Sequence, residues 1–444
     1  MRMDRLTTVF PAVLITVLLI SLTPGKSHAD YDYINISNPF LNKIPTAIPV
    51  FKSMANNAAE KEIALQSSDI MTQSLDFTGY FKMIDRLAFL EDIQEKGIEA
   101  IQLNFKNWTD IGAELLVTGG VTLDGDTLQM EFRLIDTYKG QLLYGRRYKG
   151  GINDQRIMVR RFCSDIIYLL TGKRGLFESR IAFISTTTGN KEVYMSDFDG
   201  YNPQRVTQTK SITLSPAWSL DGSSIAYTSY QKGKPDIYIT QLTKNRSNII
   251  AYKGINITPA WVPEKNLIAA TLSFEGDEDI YLLNDSGKVV EKLTNSWGID
   301  VSPTFSPDGK RMAFVSKRQG SPQIYIQDLD GGNAQRLTYD GAYNTEPDWS
   351  PAGDRMVYSS MKGGILDIYV IDINGGRVSQ LTYNSGSNEA PCWSPDGTLI
   401  AFTSNRQGKS KIYVMTASGT DQKSLLDLSG EQSSPAWSPP LTEN

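Results

Sequence analysis

The 444-residue sequence predicts a small α/β domain followed by an all-β six-bladed β-propeller. Two observations support this prediction. Short β-rich motifs recur six times along the C-terminal part of the chain, and the segment before them mixes helical and strand patterns without a repeat. Repeats of about 40–45 residues that each hold four strands are typical of propeller blades, because one blade buries its faces only against its neighbours.

A hydrophobic triplet locates one strand in every repeat. Its first residues are separated by steps of 44, 43, 44, 44 and 44 and are Ile181, Ile225, Ile268, Met312, Met356 and Ile400. A second motif ends in tyrosine and keeps the same steps, at Tyr194, Tyr238, Tyr281, Tyr325, Tyr369 and Tyr413. A third ends in threonine in four copies, at Thr207, Thr294, Thr338 and Thr382. These segments alternate with a period of two, which indicates strands and argues against a helical solenoid.

The fourth motif carries an aromatic residue, usually within Ser-Pro-x-Trp-Ser-Pro-Asp-Gly. The aromatic residues are Trp218, Trp261, Phe305, Trp349, Trp393 and Trp437. Asp-Gly predicts a tight turn, since glycine adopts positive φ without steric cost. A side chain of this size that recurs once per repeat is expected to pack between blades.

The copies are offset at the two ends of the repeat region. The first triplet, at Ile181, has no aromatic strand before it, and the last aromatic strand, residues 434–438, has no triplet after it. We therefore expect residues 434–438 to form the inner strand of the first blade. Such a strand would close the ring from both ends of the domain and leave no open blade edge.

The first 29 residues have the pattern of a secretory signal peptide. Arg2 and Arg5 precede an apolar stretch over residues 9–22, and Ser27-His28-Ala29 resembles a cleavage site. The alternative is an uncleaved anchor, but the apolar stretch is short for a transmembrane helix, which needs about 20 residues. The pattern therefore predicts an exported chain that is cut after Ala29.

Cleavage would leave an acidic chain without histidine. The signal carries Arg2, Arg5, Lys26 and Asp4, so the net charge changes from −5 to −5 − 2 = −7. Such a chain argues against a nucleic-acid partner, because phosphate contacts need clustered basic residues. The sequence has one histidine, His28, and it leaves with the signal. This excludes Ser-His-Asp and Cys-His nucleophile systems and histidine-containing zinc sites from the mature chain.

Residues 30–170 predict the small α/β domain. A helix is expected to begin at Ser53 and run to about Leu75, and a second long helix is expected over residues 153–170, ending at Gly172. Strands are expected at residues 81–84, 114–122, 128–137 and 142–148, with a short helix at 91–96. Residues 171–178 are interpreted as a linker, 179–439 as the propeller and 440–444 as a tail.

The two cysteines, Cys163 and Cys392, lie in different regions of the chain. Cys163 is on the apolar face of a predicted helix and Cys392 is beside Trp393, so both are expected to be free and buried. A disulfide between them is the alternative in an oxidising compartment.

With these elements in order, the chain resembles the TolB family of the Tol–Pal system. Several stretches carry the resemblance: residues 81–86 (FKMIDR), 134–137 (LIDT), 170–175 (LTGKRG), 197–202 (DFDGYN), 215–219 (SPAWS) and 344–347 (NTEP). The Ser-Pro-Asp-Gly repeat is shared by many propellers. Its combination with this N-terminal domain is more specific.

The resemblance implies a periplasmic binding protein without enzymatic activity or cofactor. Family members bind the peptidoglycan-associated lipoprotein Pal through the propeller and engage a TolA-like inner-membrane protein through the mature N-terminus. The system supports outer-membrane integrity and constriction at cell division. The resemblance further implies a monomer that is peripheral to the outer membrane through Pal.

The N-terminal segment that would engage TolA covers residues 30–36. Its members are Asp30, Tyr31, Asp32, Tyr33, Ile34, Asn35 and Ile36, and the two tyrosines depart from the usual family pattern. A short terminal piece with these side chains can add as a strand to the sheet edge of a partner. The alternative is that it pairs within its own domain.

Polar loops of the propeller supply the candidate Pal-binding residues, because function tends to lie on loops that a rigid scaffold holds. The candidates are Arg318, Glu346, Glu389 and Arg406. The alternative for each is a solvated rim charge that contributes little.

Two other classes of function remain open at this point. A propeller hydrolase or a peptidase accessory protein is conceivable, but no pair of carboxylates can be placed at a catalytic separation from the sequence. Asp197-Phe198-Asp199-Gly200 and Asp328-Leu329-Asp330-Gly331 begin like calcium loops but lack the later ligands, so turns are the first interpretation. The sequence also leaves open whether a calcium ion binds in the central channel, and no metal site is assigned.

Overall fold

The computed structural model describes residues 43–244 and 246–441, and these fall within one compact unit. The predicted signal peptide and the N-terminal segment at residues 30–36 lie outside the described residues. The described part has an N-terminal α/β region followed by a six-bladed β-propeller, as the sequence predicts. None of its helices combines the length and the apolar character that a membrane crossing requires.

One sheet forms the centre of the α/β region, with strand order β3-β1-β4-β5-β6 and β2 paired with β4. Its strands are β1 (Ile44–Ala47), β2 (Lys52–Ser53), β3 (Phe81–Met83), β4 (Leu115–Asp124), β5 (Thr127–Asp136) and β6 (Gln141–Gly151). The predicted hairpin is present between β4 and β5, and Gly125 supplies its turn with a φ of +57°. A left-handed residue of this kind is what a tight hairpin turn requires.

Four α-helices flank the sheet: α1 (Ala58–Phe77), α2 (Ile93–Lys96), α3 (Phe105–Asp110) and α4 (Gln155–Thr171). Short 3₁₀ helices lie at Arg86–Ala88, Ala100–Gln102 and Ile152–Asp154. Helix α4 ends at Gly172, which is left-handed at φ +72°, as expected for a glycine that terminates a helix.

The predicted start of α1 at Ser53 is wrong. The helix begins after Asn57, whose side-chain oxygen accepts a hydrogen bond from the N–H of Glu60 at 2.9 Å. Ser53 instead lies in β2, and its hydroxyl donates to the carboxylate of Glu60 at 2.9 Å. That carboxylate also accepts the N–H groups of Ala55 and Leu123. The buried Glu60 therefore ties the helix start to the sheet, and this role is not visible in a capping pattern.

Both faces of the sheet are covered. Successive residues of β4 point to opposite faces. Val117 packs in the cluster that contains Phe162 of α4, whereas Leu116 packs with Trp108 of α3. The Trp108 indole N–H donates to the carboxylate of Glu91 at 2.8 Å, which satisfies the polar atom of this fully buried ring.

Six four-stranded antiparallel sheets form the propeller. In chain order the strands are, for blade 1, β7 (Arg180–Ser185), β8 (Glu192–Asp197) and β9 (Gln204–Arg205); for blade 2, β10 (Thr213–Trp218), β11 (Ser224–Ser229), β12 (Asp236–Gln241) and β13 (Arg246–Ile250); for blade 3, β14 (Asn256–Trp261), β15 (Leu267–Leu272), β16 (Asp279–Asn284) and β17 (Val289–Lys292); for blade 4, β18 (Asp300–Phe305), β19 (Arg311–Ser316), β20 (Gln323–Asp328) and β21 (Gln335–Arg336); for blade 5, β22 (Tyr343–Trp349), β23 (Arg355–Lys362), β24 (Ile365–Asp372) and β25 (Val378–Gln380); for blade 6, β26 (Asn388–Trp393), β27 (Leu399–Ser404), β28 (Lys411–Thr416) and β29 (Lys423–Ser424); and finally β30 (Gln432–Trp437), which completes blade 1.

The four strands of each blade are called a, b, c and d from the central channel outward. Strand a lines the channel in every blade, and β30 is strand a of blade 1. The aromatic residues at the ends of the a strands are buried or half-buried, and Trp218, Trp349 and Trp393 are no more than 7% exposed. The predicted core role of these aromatics is therefore confirmed.

The ring closes through pairing between β30 and β7. The register runs from Gln432 opposite Ser185 to Trp437 opposite Ile181, which is the pairing that the offset repeats predict. The indole N–H of Trp437 donates to the hydroxyl of Ser179 at 2.7 Å. Residues from the two ends of the repeat region thus share one sheet.

Helix α4 contacts the propeller through two arginines. Arg160 pairs with Asp197 at 2.8 Å and with Asp199 at 2.9 Å, and Arg156 also pairs with Asp199. The Arg160 guanidinium lies 4.8 Å from the centre of the Phe198 ring. Asp197 and Asp199 belong to the c–d turn of blade 1, so their carboxylates, which resemble a calcium loop in the sequence, bind arginines of the α/β region.

Apolar packing continues across the same junction. The Phe198 ring meets Phe77 of α1 at 5.4 Å and Phe177 at 5.3 Å, both edge to face. Leu176 and Phe177 are buried, although they lie in the segment interpreted as a linker. Since this segment belongs to a core shared by both regions, the domain boundaries inferred from the sequence stay a prediction.

We predict that removal of residues 433–444 lowers the melting temperature by roughly 10 °C or more. The deletion takes away strand a of blade 1 and with it the Trp437 side chain, and loss of a large packed aromatic costs about 3–5 kcal/mol. Thermal unfolding followed by circular dichroism would measure the change. A chain that lacks only residues 442–444 keeps β30 and is the control. An unchanged melting curve for the longer deletion would contradict the role of the closing strand.

Candidate partner-binding surface

The two faces of the propeller differ in what covers them. The a–b and c–d turns lie on one face, and the ion pairs described between the α/β region and the propeller are made there, by Asp197, Asp199, Asp421 and Lys423. The b–c turns and the d–a connections between blades lie on the other face, which we call the open face. A candidate surface for a partner therefore lies on the open face, where loops are held by a rigid scaffold.

The channel wall is built from an unusual backbone feature. Each a strand has a bulge at a residue that precedes proline and adopts a left-handed φ between +50° and +56°; these residues are Ser215, Thr258, Ser302, Glu346, Ala390 and Ser434. A residue before proline normally adopts an extended conformation, and a left-handed residue other than glycine is strained. The surrounding ring must therefore hold these residues in place.

Hydrogen bonds from a neighbouring blade hold four of these six bulges, at Thr258, Ser302, Ala390 and Ser434. The N–H of Thr258 donates to the Thr228 hydroxyl at 3.2 Å, and the N–H of Ser302 donates to the Thr258 hydroxyl at 3.3 Å. The N–H of Ser434 donates to the Thr403 hydroxyl at 3.0 Å. These hydrogen bonds were not predicted from the sequence. The signal that could have indicated them is the proline that recurs at the same position in every a strand.

At the junction of blades 5 and 6, the Ser359 hydroxyl accepts the N–H of Ala390 at 3.0 Å, and Glu346 adds a carboxylate to this arrangement. That carboxylate accepts the N–H of Ala390 at 2.7 Å and the hydroxyl of Ser359 at 2.8 Å. Burial raises the pKa of this carboxyl, and the nearby charge of Glu389 adds to the effect. Two residues further along the same strand, Asp348 accepts the N–H of Trp393 at 2.7 Å. Burial raises the pKa of Asp348 to about 7.

Arg318 and Arg406 occupy equivalent places in the b–c turns of blades 4 and 6. Each guanidinium lies over two rings of its own blade. Arg318 is 5.2 Å from the centre of the Phe314 ring and 4.9 Å from that of Tyr325. The corresponding distances for Arg406 are 5.4 Å to Phe402 and 4.4 Å to Tyr413.

Both arginines also have a polar partner on strand a of the same blade. Arg318 pairs with the buried Asp300 at 3.1 Å, and Arg406 donates to the side-chain oxygen of Asn388 at 3.1 Å. These side chains are therefore half-buried braces within a blade rather than free rim charges.

The structure brings together three of the four residues predicted to contact Pal. Glu346 bonds to Ala390, Arg406 bonds to Asn388, and Glu389 lies between these two partners on β26. Arg318 belongs to blade 4 and is separate from this group. The role of all four residues in partner binding stays a prediction.

Three exposed aromatic residues on the open face were not predicted. Trp297, Tyr339 and Tyr383 have 84%, 73% and 61% of their surface exposed, respectively. Each lies in a d–a connection, and the only sequence signal is an aromatic residue shortly after the threonine of the third motif.

The described residues contain no cluster of three or more acidic, cysteine or histidine side chains that could hold a metal ion. Cys163 and Cys392 are free and buried, as the sequence predicts. Burial raises the pKa of the Cys392 thiol well above its ordinary value.

We predict that the stability difference between Asp348→Asn and the original chain grows as the pH rises from 5 to 8. Because the carboxyl has a pKa near 7 in the fold and an ordinary value of 3.8 when unfolded, the native state binds more protons between these values. Its stability therefore falls as the pH rises through this window, by about 1.4 kcal/mol per pH unit, and asparagine does not titrate. Urea unfolding at several pH values would measure a gain of roughly 2 kcal/mol for Asp348→Asn.

Asp277→Asn, in an exposed turn of blade 3, is the matched control for the loss of one carboxyl. A stability difference between Asp348→Asn and the original chain that stays constant with pH would contradict the raised pKa.

Comparison with known families matches both parts of the chain. Residues 32–143 match the TolB amino-terminal domain, and residues 168–441 match the TolB beta propeller domain. A crystal structure of TolB from Acinetobacter baumannii superposes with a TM-score of 0.78 at 28% sequence identity, covering 90% of this chain and 97% of that one.

Curated relatives agree with this assignment. The Tol-Pal system protein TolB of Desulfosudis oleivorans is 56% identical over 287 residues, which is 65% of each chain. The protein of the same name from Syntrophus aciditrophicus is 39% identical over 211 residues, or 47% of each chain. The alignments thus span about half to two thirds of the length of these relatives. Since the propeller model alone covers more than half of the sequence, the chain belongs to the TolB family.

Proposed function

We propose that this chain is a non-enzymatic scaffold of the Tol–Pal system in the periplasm. It binds the peptidoglycan-associated lipoprotein Pal through the propeller and a TolA-like inner-membrane protein through residues 30–36. In this role it supports outer-membrane integrity and constriction at cell division, as a monomer that is peripheral to the outer membrane through Pal. The observation that carries the proposal is the match of both TolB domains along a single chain.

The open face supports a binding role for the propeller. The α/β region makes its ion pairs on the opposite face, so the b–c turns and d–a connections are available to a partner. The d–a connections pack on the next blade: Gly298 and Gly386 run against the backbones of Lys317 and Arg406, respectively. Loops that are held in this way change little on binding and lose little conformational entropy.

The hydrogen bonds of two half-buried carboxylates support a scaffold rather than a hydrolase. Glu346 and Asp348 both accept backbone N–H groups of blade 6, at Ala390 and Trp393. Carboxyl pairs that hydrolyse a glycoside flank a reacting bond at a set separation. Here the two side chains bridge neighbouring blades instead, so their geometry fits a role in the wall of the channel.

We predict that combined charge reversal, Glu346→Arg with Arg406→Glu, weakens Pal binding at least tenfold. Glu346 bonds to Ala390 from the channel wall and Arg406 bonds to Asn388 from the b–c turn of blade 6, so the two residues hold nearby positions of β26. Isothermal titration of the mature chain with the periplasmic domain of Pal from the same organism would measure this. Glu346→Gln keeps the shape of the side chain and tests the charge if the double variant does not fold. Glu264→Lys with Lys265→Glu, in an exposed a–b turn, is the matched control.

Unchanged affinity for Pal in both Glu346 variants would show that Glu346 and Arg406 do not belong to the Pal-binding site. A mature chain that is folded but captures no Pal from membranes would contradict the proposed function itself.

We predict that removal of residues 30–37 abolishes binding to the TolA-like partner. The physical basis is strand addition, in which main-chain hydrogen bonds of an extended segment supply the affinity. A pull-down with the partner's periplasmic domain would measure the loss, and an unchanged melting temperature would show that the propeller is intact. Retained binding would refute the assignment of this segment.

A further inference from the structure

We infer that Trp297, Tyr339 and Tyr383 anchor the lipoprotein partner on the open face. The three rings bind an apolar site of the partner, and acidic residues of the partner surround that site. This inference rests on the proposed function and goes beyond it. It names the side chains that supply affinity, and they differ from the charged residues that the sequence suggests.

The three rings occupy consecutive positions around the open face. Trp297 lies in the connection from blade 3 to blade 4, Tyr339 in that from blade 4 to blade 5, and Tyr383 in that from blade 5 to blade 6. Tyr339 and Tyr383 each follow directly on the threonine of the third motif. Topology therefore places the three residues on adjacent blades of a single face.

The backbone beneath the rings is fixed. The hydroxyls of Thr294, Thr338 and Thr382 accept the strand-c N–H groups of Ile280, Ile324 and Ile368 at 2.9, 3.0 and 3.0 Å, respectively. All three threonines are buried. A hydrogen bond to strand c therefore fixes the threonine that precedes each aromatic residue.

Further contacts hold two of the three rings, those of Tyr383 and Tyr339. The hydroxyl of Tyr383 donates to the carbonyl oxygen of Gln380 at 2.5 Å, and the Arg336 guanidinium lies 4.9 Å from the centre of the Tyr339 ring. Beside Trp297, Ser296 donates to Asp300 at 2.9 Å. Rings that are held in place before binding lose little rotational freedom when a partner covers them.

This arrangement is costly for a surface that stays in water. Single exposed apolar residues are ordinary, whereas Trp and Tyr are enriched at protein interfaces, and here three such rings are each more than 60% exposed on one face. Trp and Tyr are also the residues that contribute most to the binding energy of protein interfaces. The three rings therefore have the chemistry of anchors that enter pockets of another protein.

The charges beside the rings indicate what the partner presents. Exposed lysines lie at the open-face ends of blades 4, 5 and 6: Lys317 and Lys409 are in b–c turns, and Lys362 is the last residue of β23. Among the described residues, no carboxylate lies within ion-pair distance of Lys317 or Lys409. The b–c turn of blade 3 is acidic instead. A partner surface with an apolar centre and acidic residues toward blades 4–6 complements this pattern, and complementary charge speeds and orients association.

The experiment compares Trp297→Ala and Tyr383→Ala with Tyr138→Ala in the mature chain. Tyr138 is 67% exposed in the β5–β6 turn of the α/β region and is the matched control. Isothermal titration with the periplasmic domain of Pal is expected to show at least tenfold weaker binding for each of the first two variants. The control should bind like the original chain. Melting temperatures should not change, because the replaced rings are exposed.

A second arm tests the charges. Lys317→Glu with Lys409→Glu should weaken binding and reduce its dependence on salt concentration, whereas Lys265→Glu in the a–b turn of blade 3 should not. Aromatic variants that bind Pal within twofold of the original chain would overturn the inference while leaving the proposed function intact. An original chain that does not bind Pal at all would instead contradict the proposed function.

Discussion

Pairing between β30 and β7 is the constraint on which the propeller depends. Each bulge in the channel wall places a residue with positive φ before a proline, at a cost of order 1 kcal/mol or more. Such strain persists only where the surroundings determine the backbone, and here the neighbouring blade supplies the hydrogen-bond partner, as at Thr258 and Ser302. A closed ring gives every blade two neighbours, whereas an open one would leave the bulge at Ser434 without its hydrogen-bond partner Thr403 of blade 6.

The blade that closes the ring also holds the α/β region. Its c–d turn offers Asp197 and Asp199 to Arg160 of α4, and Phe198 between them packs against Phe77 and Phe177. Aromatic packing and paired charges therefore act at one place. Because this turn lies opposite the open face, attachment of the α/β region leaves the b–c turns and d–a connections free for a partner.

Much of the fold could be predicted because its signals are local and repeat. The triplets locate the b strands, the aromatic motif locates the a strands, and Gly172 ends α4 where the sequence indicates. Errors arose where a distant contact overrides a local pattern. Ser53 has the composition of a helix cap, but its hydroxyl bonds to Glu60, and the cap is Asn57.

The candidate surface was harder to predict for the same reason. Arg318 and Arg406 look like free rim charges in the sequence, but the register of strands b and c stacks two rings beneath each of them. Trp297 looks like a core residue because of its size, but only the path of its connection shows that it is exposed. Burial depends on tertiary geometry, and no periodicity marks the turns in which these residues lie.

The position of the closing strand at the end of the propeller determines when the ring can form during synthesis. Blade 1 begins at Arg180 and is completed only by residues Gln432–Trp437, so five complete blades emerge between its first and last strands. While the chain grows, β7 keeps an unpaired edge, and the turn that binds α4 belongs to an unfinished sheet. The ring can therefore mature only after nearly the whole chain has been made, and until then the exposed edge of β7 needs protection from pairing with other chains.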